Sequence, residues 1–238
     1  MFAGPAVELV PVQLPGRGPR FAEPLQTSIE EMADSIASEI AQRSTRPLLF
    51  GHSMGAILAY EVARRLRTSN NPVGHLFVSG RPAPPQHRPF RTVSDLPMSE
   101  FVQVLRDYGS APEEILRNDE LLDLLMPMTR ADFAMIEGYR NVPGPPLACP
   151  ISAWCGTDDP EVTPTSMCDW ASETTEGLEL FVRRGGHFFV TDVSQEIAKA
   201  VHDAAARLDG RFEDIAPPSH RHPELRPVCT HEGSDVHG

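Results

Sequence analysis

The sequence predicts an α/β fold: a mainly parallel sheet with helices packed on both faces. Three observations carry this. Short apolar runs alternate with helix-length amphipathic patterns. The chain has 238 residues, enough for one substantial core and too few for two comfortable ones. And "LFGHSMGAILAYEVARRL", residues 49–66, reads as an apolar strand, a sharp glycine turn and a long helix in immediate succession.

Taken in order, "VELVPVQLPGR" (Val7 to Arg17) reads as a first strand ending in a Pro-Gly turn. The helix after it opens on a double capping signal, Thr27 before Glu30 and Ser28 before Glu31. Its residues Ile29, Met32, Ala33, Ile36, Ala37 and Ile40 recur at helical spacing, so one face is buried. Pro47 ends the connection, and "LLF" (Leu48 to Phe50) is a short, fully buried strand. "HLFVSG" (His75 to Gly80), "ISAWCG" (Ile151 to Gly156) and "LELFV" (Leu178 to Val182) supply further strands. A last helix carries Ile197, Val201, Ala205 and Leu208 on one stripe.

Between about residues 95 and 140 the pattern changes to several short helices, with breaks at Gly109 to Pro112 and around Pro127. Proline-rich loops, "RPAPPQHRP" and "VPGPPLACP", flank this insertion. Such a segment is expected over the carboxyl edge of the sheet, where open α/β sheets bind ligands. Its plainer reading is a subdomain that only enlarges the core. One domain is expected over 1–212, followed by a disordered tail over 213–238, rich in Pro, His and charge.

Composition narrows the classes. The formal charge of −12 argues against a nucleic-acid binder, which needs clustered Lys and Arg. No apolar run approaches the roughly 18 residues that span a membrane. The start, "MFAGPAVELV", carries neither a basic region nor a long apolar one, so nothing suggests secretion. The four cysteines show no CxxC spacing, which fits a reduced, cytoplasmic setting. The tail histidines are expected to be solvated rather than metal ligands.

The glycine turn carries the chemistry. In G-x-S-x-G, Gly51 and Gly55 let the backbone turn with no Cβ in the way and leave Ser53 exposed above the sheet. The competing reading of Ser53 is a helix N-cap. A nucleophile needs a base and the base an orienting carboxylate, in the chain order Ser, acid, His. "AWCGTDDPEVTP" offers Asp158 and Asp159 after a strand, and "RRGGHFFV" offers His187 after the last one. Pro160 stiffens the turn behind Asp159, which makes it the favoured partner with Asp158 the runner-up. In this reading Ser53 attacks a carbonyl, His187 moves the proton, Asp159 fixes the imidazole, and the Met54 backbone N–H receives the oxyanion.

The motifs "LPGRGPR", "LFGHSMGA", "HLFVSGRPAP", "MPMTRADFAMIEGYR", "GTDDPEVTP" and "GGHFFV" resemble the type II thioesterases of nonribosomal peptide and polyketide synthases. The resemblance runs from about residue 7 to residue 208 and implies an α/β-hydrolase fold. It implies hydrolysis of acyl or aminoacyl thioesters on phosphopantetheinyl carrier proteins, with Ser53, Asp159 and His187 as the triad and the insertion as a lid. It implies no metal or redox cofactor, and a monomer is expected. The family begins with a further strand and a glycine-containing loop that supplies the second oxyanion N–H. Both are expected to be missing here, either because the true start lies upstream, because the sheet closes up with 7–13 against Leu48 to Phe50, or because the chain is a degraded relative. The first is favoured. Alternatives on function are a general esterase or acyl-CoA thioesterase, and a non-catalytic carrier-protein binder. Arg81, Arg88 and Arg91 are candidates for contacts at the site mouth. Arg64, Arg65 and Arg67 are expected to face water and complement the helix dipole, with a carrier contact as the less favoured reading.

Overall fold

The computed structural model describes residues 7–43, 46–69, 72–84 and 92–210. The tail expected over 213–238 lies outside the described residues, as do Arg88 and Arg91. Four parallel strands, β1 (Leu48–His52), β2 (His75–Ser79), β3 (Ile151–Gly156) and β4 (Leu178–Arg183), lie in that order across the sheet. Leu48 stands opposite His75, Leu76 opposite Ile151, and Ile151 opposite Leu178. This register aligns the carboxyl ends of the strands.

Side-chain alternation in the strands divides the core between two faces. Ile151, Ala153 and Cys155 of β3 join the main cluster with helices α1 (Ile29–Ala41) and α2 (Met54–Leu66). Trp154 points the other way and stacks on Phe181 with ring centroids 4.0 Å apart. That second face is closed by Phe189 and by Ile197 of the last helix, α6 (Ser194–Leu208). Ser28 caps α1, accepting from the Glu31 N–H at 3.2 Å. Helix α2 is buried nearly all round because α1 covers the side turned away from the sheet.

The insertion folds as α3 (Met98–Tyr108), α4 (Glu113–Leu116) and α5 (Asp119–Gly138). It has its own apolar cluster, with Phe101, Leu105, Leu116, Leu122 and Met126 buried together. Gly109, with φ of 66°, ends α3 in the left-handed conformation that favours glycine. The break expected at Pro127 does not occur. Helix α5 runs through it, because the one hydrogen bond that proline forfeits is outweighed by an apolar stripe that continues on both sides through Leu122, Met126, Ala131 and Met135.

The strand expected over 7–17 is also absent: residues 7–14 carry no ladder and Leu9 is 89% exposed. Its alternating apolar pattern is real, but a strand needs a partner, and β1 takes only β2. The segment is instead anchored at its end by Leu14 in the core and by a two-bonded ion pair from Arg17 to Asp132 of α5, at 2.7 and 3.0 Å. Phe50 on β1 is 44% exposed, so this strand is not the fully buried one its sequence suggests.

The arginines ending α2 are also not simply solvated. Arg64 and Arg65 pair with the buried Glu61 at 2.7 and 2.6 Å, and Tyr139 donates to the same carboxylate at 2.8 Å. Arg64 and Arg67 donate to the carbonyls of Val142 and Pro145. These groups tie the end of the insertion to the central helix. Cys149 and Cys155 are buried free thiols, raised by burial to about 11 and about 12. Cys168 is disulfide-bonded, so an all-reduced reading does not hold for it. No helix among the described residues is long and apolar enough to cross a membrane.

The turn after β1 sets a steric test. A Cβ on Gly51 would lie 1.9 Å from the Gly55 carbonyl oxygen, whereas one on Gly55 meets nothing within 4 Å. Only Gly51 is therefore required by close packing. We expect Gly51→Ala to cost about 3 kcal/mol or more in urea unfolding. Gly55→Ala is expected to change stability by less than about 1 kcal/mol.

Candidate active site

Ser53 is the one non-glycine residue with positive φ among the described residues, at φ 53° and ψ −120°. Such a backbone costs energy and persists only where the surroundings over-determine it. Here the Ser53 N–H donates to the Ser79 carbonyl at 2.8 Å, and Gly51 allows α2 to start directly over β1. The side chain makes no capping bond to α2, which removes the N-cap reading. Its hydroxyl is turned out over the carboxyl edge of the sheet. Met54 is the first residue of α2, so its N–H has no carbonyl within the helix to bond.

Two loops converge on that hydroxyl. After β3, Asp159 is buried, and its Oδ1 accepts the Glu161 N–H at 3.0 Å. After β4, His187 is buried and brings Nδ1 to 2.8 Å from Asp159 Oδ2 and Nε2 to 3.0 Å from Ser53 Oγ. With Nδ1–H donated to the carboxylate, Nε2 is left to accept the serine proton. Asp158 does something else: its carboxylate accepts from the Gly185 N–H at 3.3 Å, and its own N–H donates to the Gly185 carbonyl at 2.9 Å. It splices the two loops and does not reach the imidazole. A Cβ on Gly156 would sit 2.3 Å from the Gly185 oxygen, so this splice depends on a glycine at the end of β3.

Further neighbours complete the site, and of these the sequence marks only Arg81, as a candidate at its mouth. His52 donates or accepts at Ser79 Oγ across 3.0 Å, and its ring lies 5.0 Å from that of His187. Burial first, then the neighbouring His187, pulls its pKa down to about 4, so it stays neutral beside the second imidazole. Tyr108, at the end of α3, meets the His187 ring edge-on at 5.2 Å, and burial, with Glu161 close by, raises its phenol pKa. Arg81 follows β2 and Gly80, and its Nη2 donates to Ser53 Oγ at 3.3 Å. A signal for Arg81 existed: it stands immediately after the strand beside the serine's own. For Tyr108 no such signal existed, since nothing in a helix sequence states what its last turn covers.

Parallel strands with their carboxyl ends aligned, a strained serine on a strand-to-helix turn, and a histidine and aspartate from later loops define an α/β-hydrolase. The thioesterase domain model matches residues 2–205, and the chain belongs to that family. It is 38% identical over 203 residues to thioesterase PikA5 of Streptomyces venezuelae, covering 84% of this chain and 72% of that protein. It is 37% identical over 194 residues to the gramicidin S biosynthesis protein GrsT of Aneurinibacillus migulanus, covering 80% and 75%. The solved type II thioesterase BorB, from the borrelidin biosynthetic cluster, superposes with a TM-score of 0.74 at 38% identity, covering 81% of this chain and 79% of that one. The protein is thus a hydrolase acting on thioester bonds.

His52 and His75 give the fold a pH dependence. His75, which meets Ser152 Oγ at 2.9 Å, is also held near 4, by burial and then by Arg207. Between about pH 6.5 and 4 the unfolded chain binds these protons and the folded chain does not. Their contribution is therefore complete above the unfolded value of 6.5 and falls as pH drops toward 4. We expect stability in urea to decline between pH 7 and pH 5, by up to about 2.7 kcal/mol per pH unit for the pair where steepest. His75→Gln should remove about half of that slope. Equal midpoints at both pH values would refute it.

Proposed function

We propose that this chain is an editing thioesterase that hydrolyses acyl or aminoacyl groups from the phosphopantetheine arm of carrier proteins in nonribosomal peptide or polyketide synthesis. Ser53 attacks the thioester carbonyl while His187 accepts its proton. Asp159 fixes the imidazole tautomer and stabilises its charged form. The Met54 N–H, at the positive end of α2, receives part of the oxyanion charge. His187 then returns the proton to the departing thiol and activates water to release the acyl-enzyme.

The observation that carries this reading is the unbroken series Ser53 Oγ, His187 Nε2, His187 Nδ1 and Asp159 Oδ2, at 3.0 and 2.8 Å, in a chain of the thioesterase family. The relatives named above, a gramicidin S biosynthesis protein and a type II thioesterase from the borrelidin biosynthetic cluster, support the carrier-bound substrate and the editing role. Helices α3 to α5 act as the lid, a role supported by the contact of Tyr108 with His187. The chemistry needs no cofactor beyond the arm that the substrate brings, and a carrier protein of this kind places the reaction in the cytoplasm.

The test is hydrolysis of acetyl-phosphopantetheinyl carrier protein. We expect Ser53→Ala to abolish turnover, and Asp159→Asn to lower kcat by about 10⁴-fold, since it leaves the imidazole in the wrong tautomer. Asp158→Asn, which touches only the loop splice, should retain most of the rate. Turnover on p-nitrophenyl acetate with none on the carrier would point to a general esterase instead. A folded protein that neither turns over nor reacts with a fluorophosphonate would be a binder.

A further inference from the structure

The side chain of Arg81 is half-buried, and its placement is costly. Its one hydrogen bond among the described residues is the 3.3 Å contact from Nη2 to Ser53 Oγ. Nε is buried with no partner. No carboxylate forms an ion pair with this guanidinium among the described residues, although Tyr108, Glu161 and Asp159 lie close enough to favour its charge. A buried polar atom left without a partner destabilises a fold. The backbone nonetheless fixes the residue there: Trp170 Nε1 donates to the Arg81 carbonyl at 2.9 Å, and Gly80 turns the chain at φ 61°. A Cβ on Gly80 would lie 2.6 Å from His52, so this turn is closely fitted against the site. Every device in this stretch aims an incompletely paired cation at the serine oxygen.

We propose that Arg81 is a further catalytic residue, whose guanidinium donates to the oxyanion of the tetrahedral intermediate alongside the Met54 N–H. The inference rests on the acyl-transfer reading of Ser53 given above. When Ser53 Oγ bonds to the carbonyl carbon, the C=O π pair moves onto oxygen and the serine proton passes to His187 Nε2. The oxyanion so formed is held one bond angle from Oγ, within reach of a donor that already touches Oγ in the resting state. Collapse returns the pair to the carbonyl and expels the thiolate, which takes the proton from His187. Arg81 exchanges no proton at any point. A guanidinium with free donors has little to bind in the ground state and a full negative charge to bind at the intermediate, so its effect falls on kcat.

Arg81→Gln and Arg81→Lys, measured on acetyl-phosphopantetheinyl carrier protein and on p-nitrophenyl acetate with melting curves alongside, test this. We expect Arg81→Gln to lower kcat by about 10²-fold or more on both substrates with KM within threefold. Arg81→Lys, which keeps the charge, should recover part of the loss. Neither variant should melt below the wild type, since what is removed is incompletely paired. Should Arg81→Gln fold poorly, Arg81→Met, which removes the orphaned polar atoms, takes its place. A lower melting temperature in both Gln and Met variants would overturn the idea in favour of a structural arginine. Unchanged kcat would overturn it, as would a rise in KM with kcat unchanged, which would make Arg81 a ground-state anchor. If the wild type cleaves only the oxygen ester and Arg81→Gln still loses kcat, the Arg81 role stands and the carrier-thioester reading falls. If the wild type cleaves both and Arg81→Gln matches it, the reverse holds. A wild type that cleaves neither ends both.

Discussion

The close approach of two glycine backbones, Gly51 at the end of β1 and Gly55 in the first turn of α2, governs the rest of the molecule. With the Gly55 carbonyl where a Gly51 side chain would begin, helix and strand approach too closely for any Cβ there, and the chain between them must turn sharply. Ser53 therefore takes φ 53° and is tied by its N–H to Ser79 on the next strand. Every polar partner of the serine is positioned relative to that corner. The sheet sends one loop from β3 and one from β4 toward it, and the helix points its free N–H groups at the same place.

The two loops share a second glycine contact, Gly156 against Gly185 and Gly186. The adjacent aspartates divide the work there. One side chain is spent on the loop-to-loop seam, and the other is left for the imidazole. This division explains why two neighbouring carboxylates, which cannot both face one ring, are both placed to advantage. It also makes the His187 position a property of two strands and not of one flexible loop.

Much of this was legible in the chain. The N-cap at Ser28, the four strands and the terminal helix follow from capping chemistry and from periods of 2 and 3.6, which are local. The order of Ser53, Asp159 and His187 was legible because each directly follows a strand, and strand ends share an edge in a parallel sheet. What escaped was non-local. The alternation in 7–13 looks like a strand, but no sequence pattern states that a partner stands beside it. Pro127 looks like a break, since the apolar stripe that carries α5 across it is visible only once the insertion is folded. Gly55 looks as necessary as Gly51, though only one of the pair meets an atom. The sequence favours Asp159 and marks Arg81 as a candidate at the site mouth, but the seam that occupies Asp158 and the reach of Arg81 to the serine exist only in the folded loops.

Strand β1 is the outermost of the four described strands, and along it the ladder faces only one way. Among the described residues no strand pairs with its outer edge, and that row of N–H and C=O groups, with Phe50 exposed among them, is a template on which another extended backbone can add. Opposing this is the net charge of −12, which makes two copies repel before their edges meet. That repulsion reaches only about 8 Å at physiological ionic strength. Colloidal behaviour is thus set by a contest between a short-range adhesive edge and a screened charge, and added salt weakens the side that keeps the molecules apart.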